Sequence, residues 1–383
     1  MRILADKNIP LAEEFFGNYG EIVRIPGREM NATHVRDADI LLARSITRVD
    51  QALLEGSKVR FVGTATIGTD HVDVDWLRAN NIGFASAPGC NADSVVDYVL
   101  SSLLLLTEEE GSHLRDKTVG IVGAGNVGQR LHERLLDLDI NCLICDPPRA
   151  EAEGRDDFLS LDTLIERADV ICMHTPLIRK GEHATYHLLD RERIEALRAG
   201  QILISAGRGA CVDNKALRER LERRHDLRVV LDVWENEPAI DEALYAMVDV
   251  ATPHIAGYSL DGKMRGTEMV YQAACRHFGL PIRCKLGQLK PEPWLRRLVL
   301  SSWAPPHEAL STCVRACYDV RRDMLGFDRY QRRLGMAKGF DAYRAEYPTR
   351  REFSTLRLEL KRNAGELREA LEGFGFNIKL SSK

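Results

Sequence analysis

The stretch Val119-Gly120-Ile121-Val122-Gly123-Ala124-Gly125-Asn126-Val127-Gly128, with Asp146 eighteen residues beyond it, constrains this chain most. It reads as a buried strand, a glycine turn, a helix, a second strand and an acid. Gly123 permits the tight turn, Gly125 lets backbone approach a pyrophosphate, and Gly128 lets the helix pack closely on the strand. The helix N-terminus, at Asn126 and Val127, offers N–H groups and a positive dipole end to phosphates. Asp146 is placed to accept hydrogen bonds from ribose hydroxyls and to repel a 2′-phosphate, which favours NAD over NADP. Glycine turns alone are common; the flanking strand, helix and acid are what make this one specific.

A chain of 383 residues exceeds what one core normally supports, so two or three domains are expected. The net charge of −4 gives no general basic field, and nucleic acid is not an expected partner. The first residues, Met1-Arg2-Ile3-Leu4-Ala5-Asp6, read as a strand rather than a signal peptide. The apolar run from Tyr98 to Leu106 is too short to span a membrane and ends in three glutamates. The nine cysteines are odd in number and lie mostly in apolar segments, which points to reduced thiols in a cytoplasm. Cys142 and Cys145 form a CxxC inside the strand that delivers Asp146. Redox pairs instead sit at helix N-termini, and no second pair completes a zinc site, so both are read as core residues. Cys313 and Cys317 are read the same way, and no metal is expected.

Strands are predicted at Ile3–Ala5, Ile40–Ala43, Phe61–Thr64 and Gly83–Ala85, with helices over Pro10–Tyr19 and Asp73–Asn80 between them. A long helix over Asn91–Glu110 leads to a second series of strands. These are Val119–Val122, Asn141–Cys145, Val170–Met173, Gln201–Ser205, Val229–Leu231 and Val250–Ala251. Such alternation predicts α/β architecture: two doubly wound, Rossmann-like parallel units with a cleft between them. Ser259 or Asp261 caps a further helix through Met264–Phe278, ended by Gly279-Leu280-Pro281. From about Pro291 the composition shifts toward arginine and aromatics, including Trp294 and Trp303. Helix Glu308–Tyr318, strand Phe353–Leu360, helix Lys361–Phe374 and strand Phe376–Leu380 make this a small α+β module.

Three polar residues follow successive strands of the second unit, where open sheets bind ligands. Arg208 lies between Gly207 and Gly209, Glu237 precedes Pro238, and His254 follows Thr252-Pro253. Arginine matches a carboxylate with a planar fork, and histidine exchanges one proton near neutral pH. Together with a nicotinamide they suit oxidation of an alcohol beside a carboxylate. Each has an ordinary reading: a surface turn arginine, a loop acid, a satisfied core histidine. Their common address at strand ends favours the chemical one.

With these motifs the chain resembles the D-isomer-specific 2-hydroxyacid dehydrogenase family from the first strand to about residue 280. The shared marks are Val122–Gly128, His174-Thr175-Pro176-Leu177, Gly207-Arg208-Gly209 with Val212-Asp213, Leu231-Asp232-Val233 with Glu237-Pro238, and Thr252–Gly257. Narrower marks are Leu4–Asp6, Arg44–Thr47, Thr66–His71, Ala87–Ala92, Cys145–Arg149 and Gly257–Lys263. The resemblance implies a discontinuous, flavodoxin-like substrate domain over 1–92 and 257–290, an NAD-binding domain over 93–256, and a C-terminal dimerisation domain over 291–383. It implies that Arg208 binds the substrate carboxylate and C2 oxygen, that Glu237 pairs with His254, and that His254 is the general base. Gly123, Gly125, Asn126, Val127, Gly128, Asp146, Thr175, Ala206, Gly207, Arg208, Asp232 and Gly257 would contact NAD; Ser45, Thr66 and Tyr258 would contact substrate. Ser205 stands where many relatives carry asparagine, which bears on cofactor contacts there. The expected substrate is a small phosphorylated 2-hydroxy acid and the expected assembly a homodimer. Arg44, Lys263 and Arg265 are candidates for the phosphate, against their reading as solvated cations. Other acids (3-phosphoglycerate, glycerate, hydroxypyruvate) and a non-catalytic NAD(H)-sensing role stay open at this point.

Overall fold

Arg2–Asp6, Glu21–Ile25, Ile40–Ala43, Phe61–Thr64 and Gly83–Ala85 form a parallel five-stranded sheet in the order 2-1-3-4-5, counted along the chain. The computed structural model describes all residues except 302–303, 362–364 and 382–383. Trp303 and most of the first turn of the helix predicted over 361–374 therefore lie outside the described residues. The chain divides into two compact units, Met1–Ala92 with Tyr258–Glu292 and Asp93–Gly257 with Pro293–Lys383.

In the first unit, four strands lie where the apolar runs predict them. The fifth, Glu21–Ile25, has no such signal because it is a half-buried edge strand without a clean apolar face. Its Arg24 guanidinium caps the Ile9 and Lys7 carbonyls at 2.6 and 3.1 Å. The helix Leu260–Phe278 returns to this sheet and packs Met264, Val270 and Tyr271 against Phe15, Phe16 and Phe61. Ser259 caps it by accepting the Gly262 N–H at 2.8 Å, and Gly279 ends it at φ +64°.

The second unit holds six parallel strands, Val119–Val122, Cys142–Cys145, Val170–Met173, Ile202–Ser205, Arg228–Leu231 and Val250–Ala251, in the order 2-1-3-4-5-6. Runs such as Val-Ile-Cys-Met and Ile-Leu-Ile-Ser are buried throughout because helices cover both faces. Cys142–Cys145 is the edge strand of this sheet, and on its outer side Leu159 N–H donates to Ile144 O at 2.7 Å. Gly120 has no room for a side chain: a Cβ there would lie 2.4 Å from Leu164 of the helix Leu161–Arg167. Cys142 and Cys145 carry free thiols, and burial pushes them up to about 12 and about 11.

The C-terminal segment contains a three-stranded sheet whose strands, Arg297–Val299, Arg357–Lys361 and Asn377–Ser381, run parallel. The strand predicted from Phe353 starts later, because Phe353 N–H is drawn to the Asp97 carboxylate at 2.9 Å and Phe353–Thr355 forms a short 3₁₀ turn. Two helices without a sequence expectation, Val320–Leu334 and Met336–Ala345, bury Phe327, Met336, Phe340 and Tyr343 in the same cluster as Leu231, Trp234 and Leu244. Buried Asp323 accepts the hydroxyls of Tyr318, Tyr343 and Tyr347 at 2.8, 2.9 and 2.7 Å. Among the described residues no helix is long and apolar enough to cross a membrane.

Candidate active site

The glycine turn divides its work among three positions. Gly123 adopts φ +90°, and a Cβ there would press on His174 and Thr175 at 3.0 Å. A Cβ on Gly128 would sit 1.9 Å from the Gly123 carbonyl, so only glycine brings the helix this close. A Cβ on Gly125 would meet nothing within 4 Å, which leaves open space at the start of the helix Asn126–Asp137. No side chain caps that helix. Asp146 closes the next strand; its carboxylate accepts Ala124 N–H at 2.7 Å and Arg149 N–H at 3.1 Å. The acid thereby fixes the turn while keeping lone pairs on both oxygens.

His254 and Glu237 meet at the carboxyl end of the same sheet. His254 Nδ1 donates to Glu237 Oε2 at 2.8 Å, and Glu237 Oε1 accepts Trp234 N–H at 2.9 Å. Burial works to raise the Glu237 pKa, but the His254 ring and the Trp234 N–H outweigh it, and the carboxyl titrates below its ordinary value. With Nδ1 engaged, Nε2 is the nitrogen available to a reacting proton. The Asp232 carboxylate is buried and accepts Thr252 Oγ1, Ile255 N–H and Ala256 N–H at 2.7, 2.8 and 2.9 Å. Tyr98 adds its hydroxyl to Thr252 Oγ1 at 2.8 Å. This network holds His254 at φ +57°, a left-handed backbone that a non-glycine residue adopts only when its surroundings impose it.

Arg208 follows Ser205 on the half-buried turn Ala206-Gly207-Arg208, and its Nη1 donates to Gly207 O at 2.9 Å. A Cβ on Gly209 would lie 2.0 Å from the Trp234 carbonyl, and one on Gly207 2.8 Å from Thr175 O. The loops bearing Arg208 and Glu237 are thus pressed together, backbone to backbone. His187, distant along the chain but adjacent in space, bonds Glu235 Oε1 at 2.8 Å, and Glu235 also accepts Asn214 N–H at 3.0 Å.

The fit to a dinucleotide can be tested on orphaned polar atoms. Both ring nitrogens of His174, Thr175 Oγ1 and Ser205 Oγ are buried without a hydrogen-bond partner. All follow or end strands beside the glycine turn. Burial pushes the His174 imidazole down to about 4, so it is neutral at physiological pH. Natural proteins seldom leave such atoms unmatched, and a polar cofactor on this edge would match them. Thr175 is expected from the motif. His174 is not among the site residues that sequence reasoning singles out, and Ser205 is noted there only as a departure bearing on cofactor contacts.

In the first unit, Thr66 Oγ1 bonds Thr64 Oγ1 at 2.7 Å, and Thr64 Oγ1 bonds His71 Nε2 at 3.0 Å, a relay at the end of Phe61–Thr64. Ser45 is exposed beyond Ile40–Ala43. Lys263 Nζ lies 4.4 Å and the Arg44 guanidinium 5.8 Å from the Tyr258 ring centre, so two cations gather at one tyrosine. Arg265 is engaged otherwise: its Nε donates to Cys90 O at 2.8 Å. Gly257 lies half-buried directly after the His254 loop.

A dinucleotide turn joined to a carboxylate-held imidazole on one sheet defines the class, an NAD-dependent 2-hydroxyacid dehydrogenase, and residues 105–256 match the D-isomer specific 2-hydroxyacid dehydrogenase, NAD binding domain. The chain is similar to erythronate-4-phosphate dehydrogenase of Chromohalobacter salexigens, at 75% identity over all 383 residues and the whole of that protein. It is 54% identical to the enzyme of that name from Azotobacter vinelandii, covering 98% of this chain and 99% of the relative. The chain belongs to the erythronate-4-phosphate dehydrogenase family. Residues 289–375 also match a domain of unknown function. Among solved structures, the TT0316 protein of Thermus thermophilus superposes with TM-score 0.62 at 28% identity, over 74% of this chain and 98% of that one. NAD⁺-bound 3-phosphoglycerate dehydrogenase of Entamoeba histolytica shares the fold, with TM-score 0.62 at 22% identity over 73% and 95% of the two chains.

Proposed function

We propose that the protein oxidises 4-phospho-D-erythronate to (R)-3-hydroxy-2-oxo-4-phosphobutanoate, as a step in making pyridoxine 5′-phosphate (vitamin B6). The observation that carries the chemistry is the 2.8 Å bond between His254 Nδ1 and Glu237. Glu237 fixes the tautomer, so Nε2 presents its lone pair to the C2 hydroxyl and takes that proton. The resulting imidazolium is stabilised by the adjacent carboxylate. Arg208 holds the substrate carboxylate and the C2 oxygen with a donor fork that a lysine could not reproduce. Bound NAD would supply the acceptor for the C2 hydride. The glycine turn, Asp146, Thr175, Ala206, Gly207, Asp232 and Gly257 are the proposed cofactor contacts, and His174 and Ser205 join them on the strength of their orphaned atoms. Ser45, Thr66 and Tyr258 are the proposed substrate contacts. Arg44 and Lys263 at Tyr258 are the better phosphate candidates; Arg265 is already committed to Cys90 O. The protein is read as a cytoplasmic homodimer joined through residues 291–383.

The test is NADH absorbance with 4-phospho-D-erythronate, 3-phosphoglycerate, glycerate and hydroxypyruvate, run in both directions because product release can mask turnover. A kcat/KM for 4-phosphoerythronate at least about tenfold above the others, equal to about 1.4 kcal/mol of selectivity, is expected. Equal or better turnover of another acid would overturn the substrate, and no turnover of any would overturn the enzyme reading.

A further inference from the structure

We infer that Arg350, from the C-terminal segment, is a positioning residue that holds the His254 loop in its working shape. Its side chain is buried, and the guanidinium lies 3.5 Å from the centre of the Tyr318 ring. From there Nη1 donates to Ala256 O at 3.0 Å and Nη2 to Ser94 O at 2.5 Å. The residue after Ile255 is therefore gripped on both sides, its N–H by Asp232 and its carbonyl by Arg350. Two positions upstream, His254 sits in its left-handed conformation. A backbone held in that region persists only where the surroundings over-determine it. Asp232 supplies one half of that determination and Arg350 the other.

The grip is anchored. Next to Arg350, Glu352 Oε1 accepts Ser94 Oγ at 2.9 Å and Phe353 N–H donates to Asp97 Oδ2 at 2.9 Å, so residues 350–353 are fastened along the helix Ala92–Glu110. Arginine suits this place because its planar fork reaches two carbonyls while its face stacks on tyrosine. The C-terminal segment thus contributes to the catalytic loop of its own chain, whatever it does between chains.

The inference rests on His254 as the base, so His254→Ala is measured beside it. In the full-length protein, Arg350→Met is expected to lower kcat about 10- to 100-fold, the scale on which small misplacements of reacting groups act. The KM for NAD and NADH affinity by nicotinamide fluorescence should stay within about twofold of wild type. Arg350→Lys, which keeps charge and one donor, should recover part of kcat. Wild-type kcat in a folded Arg350→Met protein would overturn the inference, as would parallel losses of kcat and NADH affinity. Should Arg350→Met not fold, Arg350→Lys decides: kcat reduced at least about threefold at unchanged NADH affinity is expected, and wild-type kcat overturns it. An inactive His254→Ala protein beside wild-type rates in the Arg350 variants refutes only the positioning role. An active His254→Ala protein refutes the base itself.

Discussion

The carboxyl ends of the two large sheets are built on opposite plans. In the second unit the carboxylates are spoken for: buried Asp232 accepts three hydrogen bonds, and half-buried Glu237 is shared between Trp234 and His254. In the first unit Ser45 is exposed, while Tyr258 and Lys263 are half-buried on a looser surface. Carboxylates with full partner sets define one geometry; half-exposed cations on long stems accept a range of them. On the proposed function, the contrast separates a part of the protein that would fix how a proton moves from a part that would choose which anion is held.

The contrast breaks most directly at His254. Replacing it with alanine should lower turnover by at least about 100-fold, the lower end of general-base effects, while NADH binding survives. Near-normal steady-state rates would move the chemistry elsewhere. On the looser side, Lys263→Ala should raise KM for the phosphorylated acid by about tenfold, the worth of one charge-assisted hydrogen bond, and leave kcat nearly unchanged. A fall in kcat with constant KM would show that the first unit also sets the chemistry. The smallest effect concerns acid stability. Glu237 has its pKa lowered in the folded protein, so its stabilisation is present above the ordinary value of 4.5 and is lost as pH falls through the folded value. Thermal melts from neutral to acid pH should show Glu237→Gln with a shallower acid loss than wild type. Identical slopes would mean that the carboxylate contributes nothing through its ionisation.

Much of this is legible in the sequence because it is local. The glycine turn, the strand that ends at Asp146 and the Ser259 cap each depend on residues a few positions apart. Arg208, Glu237 and His254 are legible because parallel topology puts every strand's last residue on one edge. What escapes depends on distant pairing. Arg350 and Ser94 are separated by 256 positions. The tyrosines gathered around Asp323 have no period that sets them apart from an ordinary amphipathic helix. His174 escapes for another reason: its identity is plain, but its lack of any partner is a property of the folded neighbourhood alone.

Gly209 carries a consequence for anyone wishing to redirect this enzyme toward another acid. Since a single methyl there would collide with the Trp234 carbonyl at 2.0 Å, the arginine loop and the glutamate loop cannot be adjusted separately. Mutational libraries aimed at them would be spent mostly on misfolded or inert proteins. Variation placed around Ser45, Thr66, Tyr258 and Lys263 leaves that rigid pair alone, and new substrate preferences should be sought there.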